Sequence, residues 1–395
     1  MKPDDLNLIL RHTDQVVPRD ELAAKLDLGR PLRVKLGLDP TAPAVTLGWA
    51  VVLRKLRQFQ ELGHTAVLIV GDFTAQVGDP SAKDAQRKRL TAEEVNGYAE
   101  TVLGQFERVL LPDNLEIRRN SEWLAGFDMY GLLELTSAAT VAQMMERSDF
   151  AKRFHGGVPI SVMEFLYPLL QGYDSVAVEA DVELGGSDQL WNLMMGRVVQ
   201  ERYGQEPQVA LTMPLLVGTD GIQKMSQSLG KYIGVEDSPS DMFGKTMSIP
   251  DEAMGEWFRL AADYDDDAVA GIEAGLDSGE LHPNEAKREL ARAVVALYHG
   301  QDAARESEKG FDQVFREGGV PDDLEEISLP EEDPVAMPGL IRDAFGLSGS
   351  EARRMISQGA VRLDDQVVSD QEILRVELAG KVLRVGKRRF ARLVG

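Results

Sequence analysis

Residues 33–49 read RVKLGLDPTAPAVTLGW and contain the clearest structural pattern in the sequence. Its first six residues form a short β-branched and apolar run, which predicts a buried strand over 33–38. Asp39-Pro40-Thr41 then predicts a turn, and a helix is expected from about Leu47 to Gly63. A buried strand followed by a turn and a helix is the repeating unit of α/β sheets.

The same alternation continues toward residue 211. A helix is predicted over 91–110, where Thr91 and Glu94 match a capping box, and another over 187–203. Further strands are predicted over 65–71, 115–118, 174–179 and 208–211. Strands and helices that alternate at this spacing predict a doubly wound parallel sheet. Such sheets bind ligands outside the carboxyl ends of their strands.

The composition excludes several classes of protein. The 395 residues include no cysteine, which rules out disulfides and thiolate metal sites, and the five histidines show no metal-ligand spacing. No apolar run approaches the length of a membrane span, and no charged-then-apolar segment begins the sequence. A soluble cytoplasmic protein without membrane contact is therefore expected.

The net charge of -22 argues against a general nucleic-acid binder, because an acidic surface repels phosphate. The charge is unevenly distributed. Residues 335–395 contain 11 Lys and Arg against 7 Asp and Glu, whereas the preceding residues contain 32 against 58. This asymmetry favours a basic C-terminal module on an acidic body. A halophile-like, highly soluble surface with a near-neutral tail is the alternative.

The chain is predicted to divide into five segments. Residues 251–318 have a polar, helical pattern, and an acidic, proline-punctuated stretch over 321–338 is typical of a linker. A compact α+β tail is expected after that linker. The predicted segments are 1–220, 221–250, 251–320, 321–338 and 339–395.

Two motifs resemble the signature sequences of class I aminoacyl-tRNA synthetases. Gly37–Trp49 lies where that family has its HIGH motif, and Lys224-Met225-Ser226-Gln227-Ser228 resembles KMSKS. A helix N-terminus at such a turn offers backbone donors and a positive dipole end to phosphate. The resemblance implies a Rossmann-like catalytic domain over 1–220 and a KMSKS-like loop and connection over 221–250. It also implies a helical anticodon-side domain over 251–320.

A third segment narrows the resemblance to tyrosyl-tRNA synthetases. Residues 165–174 read FLYPLLQGYD, in which Tyr167, Gln171 and Asp174 are spaced to share one helical face. By resemblance, Tyr167 and Gln171 bind the α-amino group of tyrosine, and Asp174 accepts the phenol hydroxyl. Taken alone, the segment would be interpreted as a helix that exposes a polar face.

Further motifs follow in the family's order. Gly78-Asp79-Pro80-Ser81 resembles a turn whose aspartate holds the amino group, and GGSDQ at 185–189 resembles a turn that holds the ATP ribose. The implied tyrosine-binding residues are Asp79, Asn120, Tyr167, Gln171, Asp174 and Gln189. The implied ATP-binding residues are Gly37, Asp39, Thr41, Gly48, Gly186, Asp188 and Lys224. The implied catalytic residues are Thr46, Gly48, Trp49, Lys224, Gln227 and Ser228.

The tail over 339–395 resembles an S4 RNA-binding domain, with Gly349–Arg354 and Gly359–Asp364 as its matching segments. The resemblance implies that its basic side chains contact phosphates, with little base specificity of their own. A solvated basic surface is the alternative for the final cluster. The implied RNA-binding residues are Arg353, Arg354, Lys387, Arg388, Arg389 and Arg392.

The resemblance extends over essentially the whole chain and is closest to bacterial tyrosyl-tRNA synthetases with a C-terminal S4 domain. It implies L-tyrosine, ATP with Mg²⁺ and tRNA(Tyr) as substrates, and no tightly bound metal or organic cofactor. It also implies a homodimer whose interface lies within about 121–160 and includes Met144, Met145 and Phe150.

Three residues depart from the family's motifs on the side that binds phosphate. Thr46 and Trp49 stand where the family has two histidines, and Gln227 stands where it has a lysine. Charge-assisted hydrogen bonds contribute about 1.5–3 kcal/mol each. Losing three of them in the transition state would slow adenylation by about four orders of magnitude if the effects were additive. Lys35 and Lys224 are expected to retain positive charge for phosphate.

Three functions therefore remain open. The first is a tyrosine–tRNA ligase whose adenylation is weakened. The second is a synthetase paralogue that has lost adenylation and binds tyrosine, RNA or another protein. The third is an enzyme of a different pathway that uses the tyrosine pocket, although no residue nominates its chemistry.

Overall fold

The structure is a computed structural model that describes residues 3–79, 90–227, 230–315, 324–364, 366–386 and 389–395. The predicted motif or site residues Pro80, Ser81, Ser228, Lys387 and Arg388 lie outside the described residues. The chain divides into two compact units, Met1–Ala304 and Arg305–Gly395. The finer division into five segments stays a prediction.

The first unit is built on a six-stranded sheet. Its strands are β1 (Gln15–Val17), β2 (Arg33–Leu38), β3 (Thr65–Val70), β4 (Leu115–Arg119), β5 (Val182–Gly186) and β6 (Val209–Met213). They lie in the order β1-β6-β5-β2-β3-β4. Neighbouring strands from β6 to β4 are parallel, and β1 pairs antiparallel with β6. The predicted doubly wound parallel sheet is confirmed.

The sheet order creates a switch point beside β2. Strands β3 and β4 extend the sheet on one side of β2, and β5 and β6 extend it on the other. The strands can be buried because they are apolar runs: β3, with the sequence TAVLIV, is buried from Ala66 to Val70. In doubly wound sheets, ligands bind in the crevice outside the carboxyl ends of the strands at such a point.

Helices cover the sheet and continue beyond it. Those before residue 180 are α1 (Pro3–Leu10), α2 (Arg19–Leu26), α3 (Leu47–Glu61), α4 (Thr74–Val77), α5 (Ala92–Phe106), α6 (Ser121–Leu124), α7 (Met129–Thr136), α8 (Val141–Met144), α9 (Ser148–His155) and α10 (Leu166–Ala177). Those after it are α11 (Leu190–Arg202), α12 (Pro239–Thr246), α13 (Met254–Leu260), α14 (Asp266–Ser278) and α15 (Pro283–Phe315), which is interrupted at Gly300. The predicted helices that begin near Leu47 and Thr91 are confirmed as α3 and α5. The predicted capping box of Thr91 and Glu94 is present.

The predicted strand over 174–179 is wrong. These residues form the end of α10 and the turn after it, and the strand that follows is β5. Valines at 176 and 178 favour a strand locally, but tertiary contacts with α11 decide the outcome. A Cβ atom at Gly172 would lie 2.8 Å from Val199 Cγ2, so the glycine allows α10 and α11 to approach closely.

The second unit is a small α+β domain, as predicted for the tail. Its strands are β7 (Glu325–Ser328), β8 (Val335–Ala336), β9 (Val361–Leu363), β10 (Gln366–Val367), β11 (Glu372–Ile373), β12 (Val382–Val385) and β13 (Arg389–Val394). Its helices are α16 (Met337–Phe345), α17 (Gly349–Ser357) and α18 (Arg375–Leu378). Five strands form a sheet in the order β10-β9-β12-β13-β7, and β8 pairs with β11.

A single apolar cluster holds this domain together, and Val335, Ile341, Leu383 and Leu393 are among its fully buried members. Throughout the described parts of both units, no helix has the length and apolar character needed to span a bilayer.

Candidate active site

The site lies at the carboxyl ends of β2 and β5. A Cβ atom at Gly37 would meet nothing within 4 Å, so this strand end borders open space. Gly186, which ends β5, is confined instead, because a Cβ atom there would lie 2.7 Å from Leu215 Cδ2 and 2.9 Å from Asp188 Oδ1. The two predicted ATP-binding glycines therefore lie on adjacent strands at the switch point.

Asp39 follows β2 and is the centre of a buried polar group. Its carboxylate accepts hydrogen bonds from Thr74 Oγ1 at 2.7 Å and from the Tyr167 hydroxyl at 2.9 Å. Burial raises the pKa of Asp39 to about 7 against these two hydrogen bonds, and the charges of Asp79 and Asp174 raise it further. The sequence assigned Asp39 to ATP, whereas the structure places it against Tyr167, a predicted tyrosine-binding residue.

Gly71 makes room for the Asp39 carboxylate. A Cβ atom at Gly71 would lie 2.0 Å from Asp39 Oδ1 and 2.4 Å from Thr74 Oγ1. Any other residue would displace these groups. Sequence reasoning missed both Gly71 and Thr74, since a glycine after a buried strand is commonly only a turn residue.

Asp174 is held by two donors from the region after β4. Trp123 Nε1 donates to Asp174 Oδ1 at 2.8 Å, and Asn120 Nδ2 donates to Oδ2 at 3.2 Å. Asn120 Nδ2 also donates to Thr74 Oγ1 at 2.9 Å, so a chain of polar contacts joins Asp174 to Asp39. Burial raises the pKa of Asp174 to about 6, while the charge of Lys35 and the hydrogen bonds from Trp123 and Asn120 oppose this rise.

Lys35 forms a buried ion pair with Glu183. The two are register partners on β2 and β5, and Lys35 Nζ lies 2.9 Å from Glu183 Oε1. Lys35 Nζ also donates to the Gln171 carbonyl at 2.9 Å and to Ser175 Oγ at 2.8 Å. Since its side chain is fully buried and engaged, the expectation that Lys35 supplies charge for phosphate is wrong.

Gln171 and Gln189 complete the polar pocket. Gln189 Nε2 donates to Asp79 Oδ2 at 3.1 Å, and Gln171 Nε2 donates to Glu183 Oε1 at 3.2 Å. Gln171 Oε1 is buried and accepts no hydrogen bond from the described residues. An orphaned buried acceptor suits a ligand that brings a hydrogen-bond donor, such as an ammonium group.

Several residues that were predicted to act on the phosphate side lie around the start of α3. Thr46 caps this helix, because its Oγ1 accepts a hydrogen bond from the Trp49 amide at 3.3 Å. Gly48 allows close contact with the KMSQS segment, since a Cβ atom there would lie 3.3 Å from Met225 Cβ. Trp49 exposes 36% of its surface, and Thr41 lies exposed in the preceding loop.

Two residues of the motif that resembles KMSKS, Lys224 and Gln227, make side-chain contacts with other segments. Lys224 Nζ lies 2.6 Å from Asp188 Oδ2, so the retained lysine meets the predicted ribose-binding aspartate. Gln227 Nε2 donates to the Ala44 carbonyl. Backbone hydrogen bonds from Leu47 to Ile233 and from Val235 to Val45 join the start of α3 to residues 233–235, which follow the motif. The structure therefore brings Thr46, Gly48, Lys224 and Gln227 to one region.

The described RNA-binding candidates are exposed in the second unit. Arg353 and Arg354 lie on α17, and Arg389 and Arg392 lie on β13. Sequence reasoning missed two further arginines, Arg362 and Arg384, which are register partners on β9 and β12. The Arg384 guanidinium lies 5.2 Å from the Phe390 ring centre. Alternating arginines on adjacent strands are the signal that would have identified this sheet face.

Two of the predicted interface residues are core residues. Met144 and Phe150 are buried within the chain, so their assignment to an interface surface is wrong. Exposed apolar side chains are nevertheless concentrated in this region: seven of the fifteen large ones among the described residues lie between 129 and 162. They are Met129, Tyr130, Leu133, Val141, Phe154, Val158 and Val162.

No set of three or more His, Asp or Glu side chains in the described ranges is arranged to hold a metal ion.

Comparisons with known proteins identify the family of this chain. The family of class I tRNA synthetases for tryptophan and tyrosine matches residues 27–316. The chain is 51% identical over 393 residues to the tyrosine–tRNA ligase of Moorella thermoacetica, covering 98% of this chain and 95% of that protein. It is 49% identical over 392 residues to the tyrosine–tRNA ligase of Oleidesulfovibrio alaskensis, covering 98% of each.

Solved structures share the fold. The tyrosyl-tRNA synthetase of Archaeoglobus fulgidus, complexed with L-tyrosine, superposes with a TM-score of 0.62 at 24% identity, covering 77% of this chain and 98% of that one. The C-terminally truncated mitochondrial tyrosyl-tRNA synthetase of Aspergillus nidulans gives a TM-score of 0.64 at 20% identity, covering 79% and 93%. At these identities the likeness concerns the fold alone.

Proposed function

The chain belongs to the tyrosine–tRNA ligases among the class I synthetases, and we propose that it activates L-tyrosine with ATP and transfers it to tRNA(Tyr). The observation that carries the proposal is the chain of polar contacts from Asp39 through Thr74 and Asn120 to Asp174. It places two carboxylates near the switch point, that of Asp174 buried and that of Asp39 partly buried. Tyrosine offers a donor at each end, an ammonium group and a phenol hydroxyl.

Each carboxylate has a distinct role in this proposal. Asp174 accepts the phenol hydroxyl, and its fixed position follows from the hydrogen bonds of Trp123 and Asn120. Asp39 and Asp79 attract the ammonium group, while Gln171 Oε1 provides a neutral acceptor. Charge-assisted hydrogen bonds of this kind are stronger than neutral ones, so the ammonium end is expected to supply much of the affinity.

Activation requires the tyrosine carboxylate to attack the α-phosphorus of ATP, which releases pyrophosphate and leaves tyrosyl-adenylate. The chain contributes positioning and electrostatics to this step. The start of α3 supplies backbone donors to phosphate, Lys224 supplies a positive charge, and Asp188 binds the ribose. Lys224 and Asp188 are paired at 2.6 Å, so nucleotide binding must separate them.

Adenylation is expected to be weak in this chain. Thr46, Trp49 and Gln227 provide no positive charge for the departing pyrophosphate. The Thr46 hydroxyl already caps α3, and the Gln227 amide already bonds the Ala44 carbonyl. ATP with Mg²⁺ as the cosubstrate follows from the proposed reaction.

The second step transfers tyrosine to tRNA. A terminal ribose hydroxyl attacks the carbonyl carbon of tyrosyl-adenylate, and AMP leaves. The second unit is suited to hold the tRNA backbone, because Arg353, Arg354, Arg389 and Arg392 are exposed there. Arg384 beside Phe390 adds a surface on which a base can stack.

A homodimer is part of the proposal. Its interface would use the exposed apolar side chains of α7 to α9, among them Tyr130, Leu133 and Val141. Exposed apolar surface concentrated in one region marks a protein contact. Tyr130→Asp with Leu133→Asp should convert the dimer to a monomer in light scattering, and a wild-type chain that is already monomeric would contradict this part.

Tyrosine-dependent ATP–pyrophosphate exchange, run beside calorimetric titration of tyrosine and phenylalanine, tests the proposed function. A site that hydrogen-bonds a buried hydroxyl should favour tyrosine over phenylalanine by about 10⁴-fold in kcat/KM. Phenylalanine is the matched control, since it lacks only that hydroxyl. A chain that binds no tyrosine would overturn the proposal.

A tyrosine-binding protein without adenylation is the second candidate. The neutral residues Thr46 and Gln227, both engaged in contacts within the chain, favour it. Tyrosine binding with no detectable exchange at high enzyme concentration would support this candidate over the ligase.

A further inference from the structure

Arg147 is a buried arginine that sequence reasoning did not identify. It precedes α9, and its side chain is only 6% exposed. Its guanidinium lies between two aromatic rings, with Cζ 5.0 Å from the ring centre of Phe150 and 5.8 Å from that of Trp191. A buried arginine needs partners for its charge and its five N–H groups.

Those contacts form a closed ring through the pocket. Arg147 Nη1 donates to Asn192 Oδ1 at 3.1 Å, and Asn192 Nδ2 donates to Gln189 Oε1 at 2.8 Å. Gln189 Nε2 donates to Asp79 Oδ2 at 3.1 Å. The ring closes where Asp79 Oδ1 lies 3.6 Å from Arg147 Nη2. Asp149 is attached outside it, since Arg147 Nε donates to Asp149 Oδ1 at 2.7 Å.

The ring fixes two groups that face the substrate. Asn192 is buried and can hold Gln189 in only one amide orientation, with Nε2 toward Asp79. Arg147 Nη2 is itself buried and makes no hydrogen bond to the described residues. At 3.6 Å, the Arg147 guanidinium attracts the Asp79 carboxylate through its charge and does not form a hydrogen bond with it.

We propose that Arg147 is the positioning residue for the ammonium end of the tyrosine pocket. It holds the Asp79 carboxylate directly and the Gln189 amide through Asn192, so that both are in place before the substrate's ammonium group arrives. This inference rests on the proposed function, because it assigns the pocket to tyrosine. Its consequence is specific: Arg147 acts on the amino group of the ligand and leaves the phenol end unaffected, since Asp174 is held by other residues.

Two ligands separate this role from a merely structural one. L-tyrosine carries the ammonium group, and 3-(4-hydroxyphenyl)propionate lacks only that group. Calorimetry on the full chain should show that Arg147→Met weakens L-tyrosine binding about tenfold or more and changes binding of the propionate by less than about twofold. Arg147→Lys keeps the charge but cannot reach Asn192 and Asp79 together, so it should recover part of the loss.

Arg153→Met is the matched control. Arg153 lies on α9, which follows Arg147, and it pairs with Glu164, which is not a member of the ring, so its loss should change neither affinity. A double-mutant cycle with Asp79→Asn should show that Arg147→Met has little further effect once Asp79 is neutral.

Three outcomes would overturn the inference. Equal loss of both ligands in Arg147→Met would mean that the arginine only supports the fold. No loss of either ligand would mean that the ring does not position Asp79. If the unsubstituted chain bound no L-tyrosine, the proposed function would fail together with this inference, whereas intact binding by the Arg147 variants would overturn the inference alone.

Discussion

The proposed tyrosine side and the proposed phosphate side of the site lie at the carboxyl ends of the same sheet but are built differently. On the proposed tyrosine side, side chains from five elements contact one another; the elements are β2, β5, α4, α6 and α10. Asp174 is an example, because it accepts hydrogen bonds from Trp123 and Asn120 and also lies near the charge of Lys35. On the proposed phosphate side, the Thr46 side chain bonds the first turn of its own helix, and the Gln227 side chain bonds the Ala44 carbonyl.

This difference explains where the departures from the family can occur. A change within an interlocked buried network leaves partners unsatisfied and destabilises the fold. A change at Thr46, Trp49 or Gln227 alters the charge offered to phosphate while leaving the sheet and its core intact. The phosphate side can therefore lose catalytic residues without losing the protein.

Restoring the family's residues gives the largest expected effect. The triple change Thr46→His, Trp49→His and Gln227→Lys should raise the rate of tyrosine-dependent pyrophosphate exchange by about three orders of magnitude or more, since three charge-assisted contacts of about 1.5 kcal/mol or more each are returned. Tyrosine affinity should stay unchanged, because the tyrosine side is untouched.

The matched control for this change is Thr46→Asn, Trp49→Gln and Gln227→Met, which alters the same positions without adding a cation. It should give no comparable gain. If both triple variants gained equally, relief of the bulk of Trp49 would explain the result. If neither gained, the comparison between a complete tyrosine side and an incomplete phosphate side would be wrong.

The second prediction concerns the buried ion pair of Lys35 and Glu183. Lys35→Met removes one partner of a fully buried ion pair and leaves Glu183 uncompensated, so it should reduce the free energy of unfolding by about 3–5 kcal/mol. Urea denaturation measures this. Adding Glu183→Gln should recover much of the loss.

Lys224→Met is the comparison on the phosphate side. In the unsubstituted chain, Lys224 is about half exposed and forms an ion pair with Asp188. Its replacement should therefore lower the free energy of unfolding by at most about 1 kcal/mol. Equal losses in Lys35→Met and Lys224→Met would contradict the idea that only the tyrosine side is interlocked.

The sequence predicted the sheet and most of the motif residues because those signals are local. Apolar runs, a capping box and ordered motifs lie within short windows, and α3, α5 and β3 formed as expected. The pair of Lys35 and Glu183 joins residues far apart in the chain, and nothing in either local window reveals it. β5 was not predicted for a related reason. Its sequence contains Glu183 and two glycines, which are not typical of a buried strand unless a partner such as Lys35 compensates the glutamate's charge.

The third prediction concerns pH. Because the pKa of Asp39 is raised to about 7, its carboxylate loses charge as pH falls below that value, and L-tyrosine affinity should fall by about tenfold per pH unit. Asp174, with a pKa of about 6, should make the decline steeper below that pH. The Asp39→Asn variant should bind L-tyrosine more weakly above pH 7, and its plot of affinity against pH should lack the bend near pH 7.

The free energy of unfolding should change with pH in the opposite direction to the tyrosine affinity. A raised carboxyl pKa means that the folded state prefers the protonated form, so stability present below about pH 4 is lost as pH rises through about 7. Asp39→Asn should remove this part of the decline in thermal unfolding. If the plot of stability against pH still bent near pH 7 in Asp39→Asn, the bend would come from another titrating group.

The smallest effect tests whether Thr46 serves the helix or the nucleotide. If its hydroxyl acts as the N-cap of α3, Thr46→Ala should lower stability by about 1 kcal/mol, and Thr46→Ser should keep it. Pyrophosphate exchange in Thr46→Ala should then fall by less than about tenfold, since no strong phosphate contact is removed. A larger fall, with stability unchanged, would show that Thr46 itself contacts the nucleotide. The phosphate side would then be a working site with different residues, and its departures would be substitutions of function and not its loss.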